Sequence, residues 1–401
     1  MAQPNIEGFV GERLSLARDA RNITQGQIAE ALGVVTPTIS RWERGERKPG
    51  GEQLTKLADA LGVHRPYFLK PVADYGDAPI FFRSLASATV KARTKERAKM
   101  RWLQHISATL QNELEFPPVD IQAAICPTDY SRLADSDIEQ IAADLRKRWR
   151  LGEGPINNMV LLAENAGVVV GIDEVGSTTI DGQANWCGAD DRPYILLARD
   201  KNNAFRRQMD LAHEIAHLTL HRGVTRAQLE TDFELIEHQA KYFAGAFLLP
   251  PHSFAAEIPS LSLDGFLSLK KRWKVALGAM IMRAEQLGVL SEAGAQRLWK
   301  YRAARGWAKR EPLDDPKDTP ISEPRFLGRC FDLIIEAGRK KRRDLLETDI
   351  GLGAADVEML ASLSPGYFGE QQAEIVRLEP KLRASPSNDT TADVIPFKRA
   401  T

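Results

Sequence analysis

The stretch DLAHEIAHLTLH, residues 210–221, constrains the fold of this chain more than any other segment. His213 and His217 have the spacing that, in a helix, puts two imidazoles on one face one turn apart, where they can bind one metal ion. Glu214 points about 100° away around the helix axis, where it can act as a base without being a ligand. The stretch therefore predicts an H-E-x-x-H helix, in which two histidines bind zinc and the glutamate serves as general base.

A second helix, predicted over residues 234–249, offers a third ligand. Its apolar residues recur at helical spacing: Ala240, Phe243, Ala244 and Phe247. Glu237 lies at the edge of that apolar face, and the small residues on the face allow two helices to approach closely. Glu234 lies about one turn earlier and His238 is adjacent, so spacing alone leaves all three residues open. The cysteines are distant from the motif in sequence, which argues against a closed structural site with thiolate ligands.

The strings AHEIAHL and EHQAKYFAGAFLLP together resemble the ImmA/IrrE family of zinc metallopeptidases. The resemblance implies His213 and His217 as zinc ligands, Glu214 as general base and Glu237 as the third ligand. It also implies a protein substrate, since related members cleave helix-turn-helix repressors. This chain lacks the aromatic residue that members often carry just before the motif, a departure that concerns packing more than chemistry.

Residues 9–70 are predicted to form a compact helical unit. Thr24 and Gln27 have the spacing of a capping box, in which each side chain accepts a hydrogen bond from the other residue's backbone. The next helix is predicted to be capped by Thr36, with Pro37 at its first position. Short helices joined by a glycine-containing turn are typical of a helix-turn-helix.

The string TQGQIAEALGVVTPTISRWERGERKP closely resembles the Cro/repressor-type helix-turn-helix family. The resemblance implies that the helix starting near Thr36 enters the major groove of double-stranded operator DNA, with the chain acting as a homodimer on a two-fold site. Ile39 and Trp42 are predicted to be core residues. A helix-turn-helix that serves only protein interaction is the alternative. The predicted DNA contacts are Gln25, Thr36, Thr38, Ser40, Arg41 and Arg44.

The amino-acid composition indicates which partners and which cellular compartment to expect. Lysine plus arginine and aspartate plus glutamate both number 54, so DNA binding requires a local basic patch and not a global excess. Three cysteines without C-x-x-C spacing are typical of a reducing compartment. No signal-peptide pattern is visible, and no apolar run approaches the about 20 residues of a membrane span. We therefore expect a cytoplasmic protein without a membrane partner.

The order of predicted elements indicates a multidomain, mainly α chain. A helix and the strands VVVGID and PYILL precede the metal helix, which predicts an α+β zincin-like domain with a small sheet. The basic segment KKRW and Arg283, further along the chain, are either DNA contacts or packing residues. The predicted divisions are a helix-turn-helix domain at 1–72, a helical connector at 73–134, a metallopeptidase domain at 135–255, a degenerate helix-turn-helix-like segment at 256–311, a linker with a small helical region at 312–380 and a disordered tail at 381–401.

The strand PYILL, just before the metal helix, is the candidate for a substrate-binding edge. In such enzymes an extended substrate can add a strand to an exposed sheet edge, where its main chain forms hydrogen bonds. The alternative is an interior strand with no role in substrate binding.

Three functions remain open on the sequence. The first is a zinc endopeptidase fused to a DNA-binding domain, which cleaves a partner repressor or itself to switch genes in stress or mobile-element control. The second is a non-proteolytic transcription regulator whose metal domain is a sensor or dimerisation unit, and the third an antitoxin-like regulator. The intact His213, Glu214 and His217 favour the first, because a sensor does not require the glutamate base.

Overall fold

Helices dominate the structure, a computed structural model that describes residues 6–76, 78–82, 89–121, 129–174, 181–199 and 203–369. Residues up to Phe368 belong to one unit by their contacts. The predicted tail at 381–401 lies outside the described residues, and the other predicted divisions remain predictions. No helix within the described ranges has both the length and the apolar character needed to cross a membrane.

The first helices are α1 (Gly11–Ala20), α2 (Gln25–Leu32), α3 (Thr36–Glu43) and α4 (Gly51–Leu61). The capping box is confirmed: the Thr24 side chain accepts from the Gln27 backbone, and the Gln27 side chain accepts from the Thr24 backbone. The prediction of Thr36 as a cap is wrong by one residue, because Val35 is the N-cap and Thr36 the first helical residue. Proline has no backbone N–H group, and the N–H groups of the first helical turn have no partner within the helix. Pro37 can therefore be the second residue of α3, so that the helix begins one residue earlier than predicted.

The remaining elements complete the sheet and its helical cover. In chain order they are β1 (Phe81–Phe82), α5 (Val90–Gln111), α6 (Asp135–Arg148), α7 (Met159–Asn165), β2 (Val169–Asp173), β3 (Gly182–Cys187), β4 (Arg192–Ala198), α8 (Ala204–Leu220), α9 (Arg226–Thr231), α10 (Phe233–Leu248), α11 (Pro251–Glu257), α12 (Leu263–Trp273), α13 (Leu277–Gln286), α14 (Glu292–Ala304), α15 (Phe326–Glu336) and α16 (Ala354–Leu360). Short 3₁₀ turns at Arg65–Leu69 and Tyr130–Arg132 and a π-helical turn at Asp344–Ile350 join them.

The sheet has the strand order β1-β3-β4-β2. Strand β4 is parallel to β2 and antiparallel to β3, and β1 is antiparallel to β3 on its outer side. The PYILL segment lies in β4, so the prediction of a substrate-binding edge there is wrong and the interior alternative is correct. Residues from both sides cover β4, since its whole length is buried.

Strand β3 was not predicted, because polar residues interrupt its apolar pattern. Gln183 and Asn185 are buried on the face that packs against α5. Gln183 donates from Nε2 to the Glu96 carbonyl at 3.0 Å, and Gln104 donates from Nε2 to Asn185 Oδ1 at 2.8 Å. Buried amides are tolerated when such partners satisfy them, so the strand is stable without the alternation that reveals a half-exposed strand.

Helix α5 contacts both the first four helices and the sheet. Met100, Leu103, Ile106 and Leu110 are buried, whereas Val90, the first residue of the helix, is 70% exposed. The Trp102 indole donates from Nε1 to the Tyr67 hydroxyl at 2.9 Å.

An ion cluster closes the junction between α5 and the helix-turn-helix region. Lys99 Nζ lies 2.8 Å from Asp356 Oδ1, and the Arg21 guanidinium bonds both oxygens of the same carboxylate. Asp356 belongs to α16, so a helix near the end of the described chain is fixed to helices near its beginning.

Of the basic residues in KKRW and at position 283, Lys270 and Arg283 are packing residues, whereas Lys271 and Arg272 are exposed and their role as DNA contacts stays a prediction. Lys270 is buried, with Nζ 2.8 Å from Glu311 Oε2 and 2.6 Å from Asp314 Oδ1. Arg283 is buried as well, donates from Nε to the Leu249 carbonyl at 3.0 Å and pairs with Glu139. Both cations are neutralised inside the protein, so phosphate cannot reach them.

Replacing Trp102 by alanine tests whether α5 holds the first four helices in place. Because the side chain is fully buried, we expect Trp102→Ala to lower the free energy of unfolding by about 3–5 kcal/mol in chemical denaturation. Trp299, which is 36% exposed, is the matched control, and its alanine variant should lose much less stability. Equal losses in the two variants would contradict this role for α5.

Candidate metal centre and helix-turn-helix surface

Helices α8 and α10 position the predicted metal ligands. The Asn203 side chain caps α8 by accepting from the backbone of Phe205 and Arg206. Apolar and small residues bury most of α8 against the sheet on one side and α10 on the other. Small residues on α10 let the two helix axes approach, which brings side chains from both helices to one point. These are Ala240 and Ala244, whereas the predicted third small residue, Gly245, faces α13.

Three donor atoms converge between the two helices. His213 Nε2 and His217 Nε2 are 3.1 Å apart, and Glu237 Oε1 lies 3.5 Å from the first and 3.3 Å from the second. A tetrahedral zinc ion has such ligands at about 2.0–2.2 Å, which places its donor atoms about 3.3–3.6 Å apart. Both histidine–carboxylate separations lie in this range and the histidine–histidine separation is slightly shorter, so small shifts would let the two imidazoles and the carboxylate hold a zinc ion.

Of the three residues that spacing left open, only Glu237 faces the histidines. It is 2% exposed, whereas Glu234 and His238 are exposed and His238 lies 3.2 Å from Asp135. Burial raises the pKa of the Glu237 carboxyl, yet hydrogen bonds with the two histidines outweigh it and bring the pKa below its ordinary value. Within the described part of the chain, Oε2 of Glu237 accepts no hydrogen bond and has Lys241 Nζ at 3.7 Å.

Buried polar groups form a chain of contacts that begins at Nδ1 of His217, on the side of the ring away from the other two ligands. This chain was not predicted from the sequence. His217 Nδ1 lies 3.1 Å from His221 Nδ1, and His221 Nε2 lies 3.0 Å from Gln239 Oε1. Gln239 in turn donates to the Tyr130 carbonyl at 2.8 Å. If His217 Nε2 is a ligand, its Nδ1 carries the proton and donates to His221, whose Nε2 donates to Gln239; each group then has a partner.

His221 is held in the neutral form that this chain requires. Burial, together with the neighbouring His217, lowers the pKa of His221 to about 3. The signal was present in the sequence, since His221 lies four residues after His217 on the same helical face.

Glu214 lies beside the start of β3. It is buried, and a Cβ built at Gly182 would lie 3.0 Å from Glu214 Oε1. The carboxylate is therefore confined between α8 and the sheet, next to the histidines and outside the ligand trio. A residue with a side chain at position 182 would crowd this carboxylate.

The predicted DNA contacts lie on α2 and α3. Of the six residues, Thr36, Arg41 and Arg44 are exposed and the other three are partly buried. Gln25 Nε2 donates to Glu43 Oε2 at 2.6 Å, so this amide is engaged within the helix-turn-helix. Arg44 donates to Ser40 Oγ at 2.9 Å.

The core prediction for this region is confirmed. Ile39 and Trp42 are buried, and they fasten α3 to the helices beneath it. The opposite face of α3 is left to solvent, as the exposure of Thr36 and Arg41 shows.

Comparison with known proteins gives two family matches. Residues 14–68 match a helix-turn-helix family model, and residues 163–285 match the IrrE N-terminal-like domain of the Peptidase_M78 family. The second match includes α8 and α10, and the first includes α2 and α3.

Three relatives, each named as an HTH-type regulator or a repressor, are similar to a short part of this chain. An uncharacterized HTH-type transcriptional regulator, y4aM, of Sinorhizobium fredii is 32% identical over 17% of this chain and 48% of its own length. Repressor protein C2 of Salmonella phage P22 is 39% identical over 16% of this chain and 29% of its own length. The cryptic phage CTXphi transcriptional repressor RstR of Vibrio cholerae is 41% identical over 14% of this chain and 48% of its own length. The chain thus spans half or less of these relatives, and it combines a helix-turn-helix region of the repressor type with an IrrE-like Peptidase_M78 region.

Proposed function

We propose that residues 163–285 act as a zinc-dependent endopeptidase. The observation that carries the proposal is the convergence of His213 Nε2, His217 Nε2 and Glu237 Oε1 at separations of 3.1–3.5 Å in a buried site. The match to the Peptidase_M78 family supports the same reaction class.

In this proposal His213, His217 and Glu237 hold zinc, which, when bound, polarises a scissile carbonyl and promotes ionisation of water. Glu214 takes the proton from the attacking water as general base, because its carboxylate is confined beside the trio without belonging to it. His221 keeps the His217 ring in one orientation and one tautomer.

The helix-turn-helix region is proposed to bind double-stranded operator DNA as a homodimer. The exposed Thr36 and Arg41 on α3 support this, as do relatives named as transcriptional repressors. A helix in the major groove reads base edges with such residues, and two-fold symmetric sites fit a dimer. The proposed protein substrate is a repressor of the same helix-turn-helix type, whose cleavage would switch gene expression.

A non-proteolytic regulator with a metal-sensing domain is the second candidate. It is favoured by the burial of the whole site, since His213, Glu214, His217 and Glu237 are each buried. A sensor needs bound metal and no access for a protein substrate. The two functions differ in what happens when Glu214 is changed.

Metal content tests the ligand assignment. We expect Glu237→Ala to lose bound zinc, because it removes one of the three converging donors, whereas the matched control Glu234→Ala should keep it. Zinc per chain is measured by mass spectrometry after dialysis against a weak chelator. Loss of zinc in the control alone would mean that the wrong carboxylate is assigned.

Replacing Glu214 by glutamine separates the two functions. The variant should keep zinc and lose at least about 100-fold in cleavage rate, the usual contribution of a general base. Cleavage of a helix-turn-helix repressor and of mixed synthetic peptides is followed by mass spectrometry, with zinc content measured on the same samples. Lost zinc or unchanged cleavage would overturn the role of Glu214.

Replacing Arg41 by alanine tests the DNA surface. If the exposed Arg41 reads a base, the variant should weaken specific operator binding by about 1–3 kcal/mol. Arg65, exposed but outside α2 and α3, provides the control Arg65→Ala. Gel-shift titrations against operator and scrambled DNA measure both variants, and equal affinity of the wild type for both DNAs would exclude specific recognition.

A further inference from the structure

Strand β1 covers the edge of the sheet that lies nearest to the metal site. It pairs antiparallel with β3, with Phe81 opposite Ala184 and Phe82 opposite Gln183. The next residue of β3 is Gly182, the position that touches Glu214. Strand β1 therefore runs along β3 toward the proposed general base, in the place where an extended substrate would pair with the edge.

The side chain of Phe81 fills an apolar pocket beside the ligands. Its ring stacks on the His217 imidazole, with ring centroids 4.6 Å apart and planes at 10°, and it is 2% exposed. Its neighbours in this apolar cluster come from the turn at Tyr130–Arg132, the loop before α9, α9 and α10: Tyr130, Val224, Leu229 and Ile236. These neighbours surround the Phe81 ring with mainly apolar side chains, which suits an aromatic residue at this position.

A buried amide anchors the segment that leads into β1. Asn185 donates from Nδ2 to the carbonyl oxygens of Ala78 and Pro79, both at 3.0 Å. The same side chain accepts from Gln104 on α5, so the anchor is itself fixed. Three kinds of interaction therefore hold residues 78–82 in place: backbone pairing with β3, burial of the Phe81 ring and two hydrogen bonds from the Asn185 side chain.

We propose that residues 78–82 occupy the substrate position and hold the site shut. The edge of β3 is then a binding site for an extended peptide strand with an aromatic residue in the place of Phe81. The inference rests on the proposed peptidase function and adds its substrate class and its regulation. Because the segment is part of the chain, it competes at an effective concentration of about millimolar, and a peptide in solution binds only when the segment leaves.

Binding of a labelled peptide tests the occupancy without relying on cleavage. The probe is a fluorescein-labelled peptide with the sequence APIFF between flanking glycines, and a version with aspartate in place of the first phenylalanine is its control. In fluorescence polarisation, the zinc-loaded full chain should bind the probe at least about tenfold more tightly as Phe81→Ala or Asn185→Ala than as wild type, because more of each variant is open. Phe254→Ala, a buried phenylalanine of α11, controls for general loosening.

Hydrogen exchange on the wild type gives a second measurement that does not depend on any variant folding. The backbone amides of β1 that donate to β3 should be protected from exchange, and saturating probe should deprotect them if it displaces the segment. Protection unchanged by bound probe would overturn the proposal.

The outcomes separate this inference from the proposed function. A gain in binding by Phe81→Ala and Asn185→Ala without any cleavage supports the occupancy of the site and overturns the peptidase. Cleavage at equal rates in wild type and both variants, with no gain in binding, overturns the occupancy and leaves the peptidase. The occupancy is also overturned if Phe81→Ala loses zinc and Asn185→Ala does not bind the probe more tightly, because Phe81 then serves only to support His217.

Discussion

The close packing of α8 on α10 is the constraint on which the site depends. It brings two imidazoles and a carboxylate together in a buried place, where each polar group needs a partner. A divalent cation satisfies all three donors at once, and the chain through His221 and Gln239 satisfies the far side of His217. The small residues of α10 and the buried histidines of α8 are thus parts of one arrangement.

Helix α5 lies between the helix-turn-helix region and the sheet beside the metal site, and it contacts both. On one side Trp102 bonds Tyr67, and on the other Gln104 bonds Asn185, the residue that anchors residues 78–82. The segment over the metal site is therefore two hydrogen bonds from α5, through Asn185, and α5 itself packs on the first helices. Helix α5 therefore contacts both the helix-turn-helix region and the residue that anchors the proposed substrate edge.

The sequence predicted what depends on short, regular spacing. The H-E-x-x-H helix, the capping box at Thr24 and the strands β2 and β4 each follow from a local pattern. The sequence did not predict β3, whose buried Gln183 and Asn185 are satisfied by partners about 80 residues away in α5. It also misplaced the substrate edge, because strand order depends on β1, a pair of residues distant in sequence from its partner. Residue spacing does not show which carboxylate faces the histidines, because this depends on how α10 packs on α8.

X-ray absorption at the zinc edge tests the central claim most directly, since it reports the ligands of the bound ion in the intact chain. Zinc held by His213, His217 and Glu237 should show only nitrogen and oxygen neighbours at about 2.0–2.2 Å, with the multiple scattering of two imidazoles. A sulfur shell near about 2.3 Å, or zinc that is absent after stoichiometric loading, would contradict a metal site between α8 and α10.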